Sequence, residues 1–250
     1  MTDEERAPLA EWLARGPFHL ALSAGWFGYA AHAALLDLLD ERGLTPVSVS
    51  GASGGAVAAV LWSGGLRGAR LRDLVTGVSR REILRLRPGP GLFSARALEG
   101  RLHRELGGLR LEDAAIPVAV SVCDWRGREV RALSRGCAAR AAHASLAVPG
   151  VMHPVRVEGR LCVDGGWRDP YALVGAPATR VLVHDVRRRR PEGPPLGRDR
   201  GRRLRQEDRP RFGPFSLHRA EHAWRVAREE ASRLLDRLPT AAVGANGDPA

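Results

Sequence analysis

At 250 residues, with 44% hydrophobic and 27% charged content, the chain has the length and composition of one water-soluble α/β domain able to bury a substantial core. All 39 basic residues are arginine, and +7 of the +11 net charge falls between Arg187 and Arg211, where eleven arginines meet four carboxylates; the remainder is only mildly basic. Three widely spaced cysteines, Cys123, Cys137 and Cys162, exclude a disulfide framework and a zinc spacing, and with no secretory leader and no apolar run of membrane-spanning length a cytoplasmic location is expected.

Residues 1–16 read as an N-terminal arm with a short helix through Leu9, Trp12 and Leu13. Phe18 to Leu22 form an apolar run bounded by Gly16-Pro17, the pattern of a buried parallel strand. Ser23-Ala24-Gly25-Trp26-Phe27-Gly28 follows as a strand-to-helix turn, and the stripe Ala33, Leu36, Leu39 predicts a helix from Tyr29 to Glu41, closed by Gly43. Such a turn offers backbone N–H groups to an anion. A dinucleotide site is excluded here, because Ser23 stands for the first glycine and the next strand ends in serines instead of a ribose-binding carboxylate.

Val47 to Ser50 alternates, runs into Gly51-Ala52-Ser53-Gly54-Gly55, and continues as an apolar helical segment over residues 56–62. Strand, sharp turn and helix describe a nucleophile elbow that presents Ser53. Gly51 and Gly55 let strand and helix pass closely and let the serine take an unfavourable backbone conformation. The helix opening at Gly54 aims N–H groups and a partial positive charge at the reacting atom. The same five residues also describe an ordinary Gly-rich turn, so the remaining chain has to supply a base.

Short helical pieces are predicted over 71–78 and 81–86, with a break at 88–91 and a helix through Leu98, Leu102 and Leu106 capped by Ser94. Residues 116–123 and 129–133 read as a hairpin, 140–148 as an Ala-rich helix stopping at Pro149-Gly150, and 159–164 as a strand delivering Asp164 into Gly165 and Gly166. A further strand is predicted over 180–186. Residues 187–213, rich in Arg, Pro and Gly, are expected to form a mobile basic loop. Residues 214–239 read as a C-terminal helix packed on the core through Leu217, Trp224, Ala227 and Leu234, and 240–250 as a disordered tail.

A nucleophilic serine needs a base, and none of the eight histidines stands in a recognisable catalytic context. Asp185 followed by His218 or His222 permits a Ser–Asp–His esterase as one alternative. A serine–aspartate dyad is the other solution, and here the chain resembles a known family. The turn Ser23 to Gly28 with its helix, Gly51-Ala52-Ser53-Gly54-Gly55 with its helix, Ala144-Ser145-Leu146-Ala147-Val148-Pro149-Gly150, and Asp164-Gly165-Gly166 occur in the order seen in patatin-like phospholipases. The resemblance covers about residues 18–175.

It implies an α/β fold: a three-layer sandwich with a mostly parallel central sheet flanked by helices, the elbow after the second strand, and a catalytic core over 17–186. It further implies a lipid acyl hydrolase without metal or organic cofactor. Ser53 would be the nucleophile, Asp164 its general base, and the amides near Ala24, Gly25 and Trp26 the oxyanion hole, with Gly28, Gly51, Gly55, Gly165 and Gly166 as motif glycines. The first loop departs from the family, since Ser23 and Ala24 replace two glycines and Phe27 stands where a basic residue is common. A neutral or short-chain ester therefore stands beside a phospholipid as substrate. The other functional alternative is a catalytically weak protein of the same fold that binds an anionic membrane or an acidic partner through Arg187 to Arg211; nucleic acid ranks last among partners.

Overall fold

A computed structural model describes residues 7–26, 28–126, 129–177, 180–187, 194, 196, 201–207 and 216–237. Within the segment read as an arm, helix α1 (Leu9–Ala14) buries Leu9, Trp12 and Leu13, and the Arg180 guanidinium lies 4.1 Å from the Trp12 ring centre, so this helix is docked on the core. Strand β1 (His19–Leu22), helix α2 (Tyr29–Glu41), strand β2 (Ser48–Ala52) and helix α3 (Gly54–Ser63) follow where the apolar pattern puts them. α3 is buried on every side, as its run of Ala, Val, Leu and Trp requires.

Beyond α4 (Gly68–Thr76) the chain departs from expectation. Helix α5 (Arg80–Ile83) is a single turn, and β3 (Arg85–Leu86) pairs antiparallel with β4 (Phe93–Ser94) across the Pro/Gly break. Ser94 therefore belongs to a hairpin and does not cap α6 (Arg96–Glu105), whose N-cap is Ala95 with no side-chain cap. Two-residue strands have too little periodicity to be read from sequence.

The hairpin β5 (Val118–Asp124) and β6 (Val130–Leu133), helix α7 (Ala138–Ser145), strands β7 (Val155–Val157), β8 (Arg160–Asp164), β9 (Val181–Asp185) and β10 (Gly201–Arg205), and helix α8 (Ala220–Asp236) complete the order. The main sheet runs β10-β9-β1-β2-β5-β8-β7, with β6 paired to β5. From β10 to β5 all pairings are parallel, while β6, β7 and β8 join antiparallel, so the sheet is mixed but mostly parallel. Leu20, Leu22, Val120 and Leu182 face the large core under the helices. Ala21, Val181 and Val183 face a smaller cluster around Tyr171, where the covering layer is thin and includes the 3-10 turns Gly165–Trp167 and Leu173–Gly175.

Strand β10 corrects the expectation of a loop over 187–213. It contributes a buried Leu204 and an Arg203 whose guanidinium donates to Asp185 at 3.0 Å, while Arg187 reaches the same carboxylate at 3.0 Å. Burial alone would raise the fully enclosed Asp185 carboxyl, but the hydrogen bonds from Arg187 and Arg203 hold it below the usual carboxylate range. An arginine-built edge strand leaves no apolar alternation to read, and its charge also discourages edge-to-edge pairing. The rest of the basic segment, apart from Arg187, Pro194, Leu196 and 201–207, lies outside the described residues, as does the tail over 240–250. Replacing Asp185 by Asn leaves two guanidiniums facing an amide and is expected to lower unfolding free energy by about 3 kcal/mol in urea titration.

Candidate active site

Register along β5 brings two strand ends together. β6 occupies one edge of β5 from Val120 to Cys123, so the opposite edge is shared: β2 pairs there up to Ala52 against Ser121, and β8 arrives from the other direction to end at Asp164 against Val122. The residue after β2 is Ser53. Serine and aspartate are thus delivered head to head by two strands that abut along a third.

Ser53 has φ 52° and ψ −121°, a left-handed conformation that β-carbon-bearing residues avoid and that costs on the order of 1–3 kcal/mol. The surroundings force it. A Cβ on Gly51 would lie 2.5 Å from the Gly55 carbonyl carbon, and one on Gly55 would collide with the Leu22 carbonyl, so α3 crosses the ends of β2 and β1 backbone against backbone. The Ser53 N–H donates to Ser145 Oγ at 2.8 Å, and the Ser145 hydroxyl donates in turn to the Ser121 carbonyl at 2.7 Å. Ser145 was part of a motif without an assigned role; it ties the elbow to the last turn of α7 and to β5.

Two residues further on, the Ala147 carbonyl accepts from the Asp164 N–H at 2.9 Å. The Asp164 side chain accepts from the Gly166 N–H at 2.8 Å, and the neighbouring Ser53 hydroxyl favours its ionised form. Burial pushes this carboxyl from the ordinary aspartate value of 3.8 up to about 6, with the hydrogen bonds from Ser53 and Gly166 opposing the shift. Both residues are nearly enclosed, Ser53 at 5% and Asp164 at 6% exposure. Gly165 passes against the Ser121 backbone and Gly166 against Ala24, which leaves no room for a side chain at either position.

The histidines bond elsewhere. His19 meets Ser48 and Ser50, His32 meets His184 and the Ser23 carbonyl, His143 meets Glu99, and His153 meets the Arg87 carbonyl. Asp185 is engaged by its two arginines, so the Ser–Asp–His alternative through Asp185 with His218 or His222 loses its acid. No group of His, Cys, Asp and Glu among the described residues is arranged to hold a metal.

This arrangement coincides with a family match: the model for patatin-like phospholipases covers residues 20–176. The chain belongs to the patatin-like phospholipase family. An uncharacterized NTE family protein of Mycobacterium bovis is 32% identical over 158 residues, which is 62% of this chain and 44% of that protein. Neuropathy target esterase sws of Drosophila persimilis is 27% identical over 168 residues, 64% of this chain and 12% of that protein. The chain therefore spans less than half the length of these curated relatives. Among solved structures, VipD from Legionella pneumophila superposes with TM-score 0.55 at 14% identity over 92% of this chain and 67% of that one. The type III effector ExoU superposes with TM-score 0.52 at 15% identity, covering 94% and 55%. At these identities the likeness is one of fold.

The first loop shows how this patatin-like chain accommodates its departures. The Ser23 hydroxyl accepts from the Val186 N–H at 3.0 Å, and Gly25 and Gly28 both press on the Val186 side chain, so the loop is fastened to the end of β9. Ala24 is corrected as an oxyanion donor, because its N–H donates to the Pro170 carbonyl at 2.8 Å. Among the described residues no backbone carbonyl accepts from the Gly25 N–H. Phe27, at the position of the missing cation, lies outside the described residues.

Linkage gives the Asp164 shift a consequence for stability. Because the folded carboxyl binds its proton more tightly than the unfolded one, Asp164 carries no penalty below pH 3.8, loses stability as pH rises through the interval to about 6, and holds a constant penalty above it. The full penalty is about 3 kcal/mol for a shift of this size. Asp164→Asn should therefore unfold at higher urea than the native chain at pH 8, with the difference shrinking toward pH 4.

Proposed function

We propose that the chain is a serine hydrolase cleaving carboxylic esters of lipids through Ser53 and Asp164. The observation that carries this reading is the placement of a strained elbow serine head to head with a buried carboxylate raised to about 6, whose ionised form the Ser53 hydroxyl favours. Such a carboxylate is a stronger base than an exposed aspartate and is still ionised at neutral pH. It takes the Ser53 proton as Oγ attacks the ester carbonyl, then returns that proton to the departing alcohol oxygen as the tetrahedral adduct collapses to an acyl-enzyme. In the second half Asp164 takes a proton from water, the hydroxide attacks the acyl carbon, and the proton passes back to Ser53. The Gly25 and Trp26 amides and the first N–H groups of α3 are the proposed oxyanion donors, each contributing about 2.7–4 kcal/mol where such a donor has been removed.

A lipid surface as the source of substrate is supported by two large exposed indoles on the loops beside the dyad. Trp26 is 48% and Trp167 71% exposed, and they stand on the two loops that meet where Gly166 touches Ala24. Exposed tryptophans of this kind favour the interface of a bilayer or micelle, consistent with peripheral attachment by a chain in which no described helix is long and apolar enough to cross a membrane.

A second reading, a binding protein of weak activity, rests on the engagement of the Ala24 N–H by Pro170. Assay on p-nitrophenyl esters and phospholipid micelles separates the two. The hydrolase reading predicts turnover lost by about a thousandfold in Ser53→Ala and in Asp164→Asn, with wild-type kcat/KM rising toward a plateau on an acid limb near pH 6 as Asp164 ionises. Wild-type-like turnover in either variant overturns the dyad, and none in the native chain favours the second reading.

A further inference from the structure

Helix α7 carries Ser145 at its end, and earlier in the same helix Arg140 and His143 line a separate cleft of about 320 Å³. The other walls come from the β3–β4 hairpin with Arg87, the first turn of α6 with Arg96 and Glu99, and β7 with Arg156. Four arginines and one glutamate line it, so three positive charges stand in excess. Arg140 pairs with Glu99 at 3.0 Å, whereas among the described residues Arg87, Arg96 and Arg156 form no ion pair. These three are exposed around the cleft, with Arg156 also donating to the Gly159 carbonyl at 2.6 Å, and together they bias its field toward anions.

His143 adds an independent observation. It is only 4% exposed, its Nδ1 donates to Glu99 Oε2 at 2.6 Å, and its Nε2 has no partner. The hydrogen bond from His143, with the charges of His143, Arg140 and Arg96, holds the Glu99 carboxyl below its usual range against its burial, so Glu99 accepts from Nδ1–H. A buried ring nitrogen without a partner is costly unless a ligand satisfies it.

We propose that this cleft binds a phosphate monoester group. A monoester carries close to two negative charges at neutral pH and presents three oxygens to guanidiniums, which bind it in forked pairs. An oxygen of the monoester can partner His143 Nε2. A carboxylate brings one charge and two oxygens, and a phosphodiester with a choline head brings its own cation against the arginines. The same chemistry is offered by a soluble phosphate ester or by phosphatidic acid in a bilayer. The site is independent of turnover at Ser53.

Calorimetric titration of the full chain with inorganic phosphate and with glycerol 3-phosphate tests the soluble source. Sedimentation with phosphatidylcholine vesicles, with and without phosphatidic acid, tests the lipid source. Arg96→Gln combined with Arg156→Gln should weaken binding at least about tenfold in one of these arms, while Arg81→Gln combined with Arg104→Gln, an equal charge change outside the cleft, should leave it unaltered. His143→Gln should weaken it with the net charge unchanged. Loss confined to the soluble arm assigns the ligand to a free ester, and loss confined to the phosphatidic acid vesicles assigns it to the lipid. Equal binding by both arginine pairs, or no binding by the native chain in either arm, overturns the proposal. Retention of the Ser53 reaction with a fluorophosphonate in the cleft variants keeps this outcome separate from the hydrolase reading.

Discussion

At the end of β2 the backbone turns through a conformation that residues bearing a Cβ avoid, and it does so because α3 crosses β1 and β2 at a distance only glycine allows. Gly51 meets Gly55, and Gly55 meets Leu22, with no side chain between the backbones. The strain concentrated at Ser53 is held by partners from distant segments: Ser145 on its N–H and, through Ala147, the backbone of Asp164. The same crossing sets the first loop, since Gly54 lies against the Gly25 carbonyl. Four segments far apart in sequence therefore position one small group of atoms.

Two buried aspartates show how environment divides roles. Asp185 is fully enclosed between two arginines and is held ionised as a structural anchor for β10. Asp164 is nearly as buried but is met by a hydroxyl and an amide, so burial dominates and its proton affinity rises. A carboxylate kept without a cation costs stability and gains basicity. That cost falls on the residue beside the serine, a pattern found where acid–base chemistry is carried out.

Much of the site was legible because its constraints are local. Gly51 to Gly55 and Asp164 to Gly166 are short runs in which steric crossing requires glycine near Ser53 and Asp164, and strands β1, β5 and β9 are apolar runs of the expected length. What escaped was held by polar contacts across long sequence separations. β10 is built from arginines that pair with Asp185, so no apolar period marks it. Ser145 looks like any small residue in an Ala-rich helix until its hydroxyl is found between Ser53 and Ser121. Ala24 looked like an oxyanion donor because its glycine-loop position suggested it, and only the approach of Pro170 assigns its N–H elsewhere.

The central claim is that Asp164, and no histidine, activates Ser53. The rate of covalent modification of the full chain by a fluorophosphonate, followed by intact-protein mass spectrometry and peptide mapping across pH, tests it most directly. The account predicts a single adduct on Ser53 whose rate falls as pH drops below about 6, and no adduct in Asp164→Asn. An adduct on another residue, or an undiminished rate at Ser53 in Asp164→Asn, would contradict it.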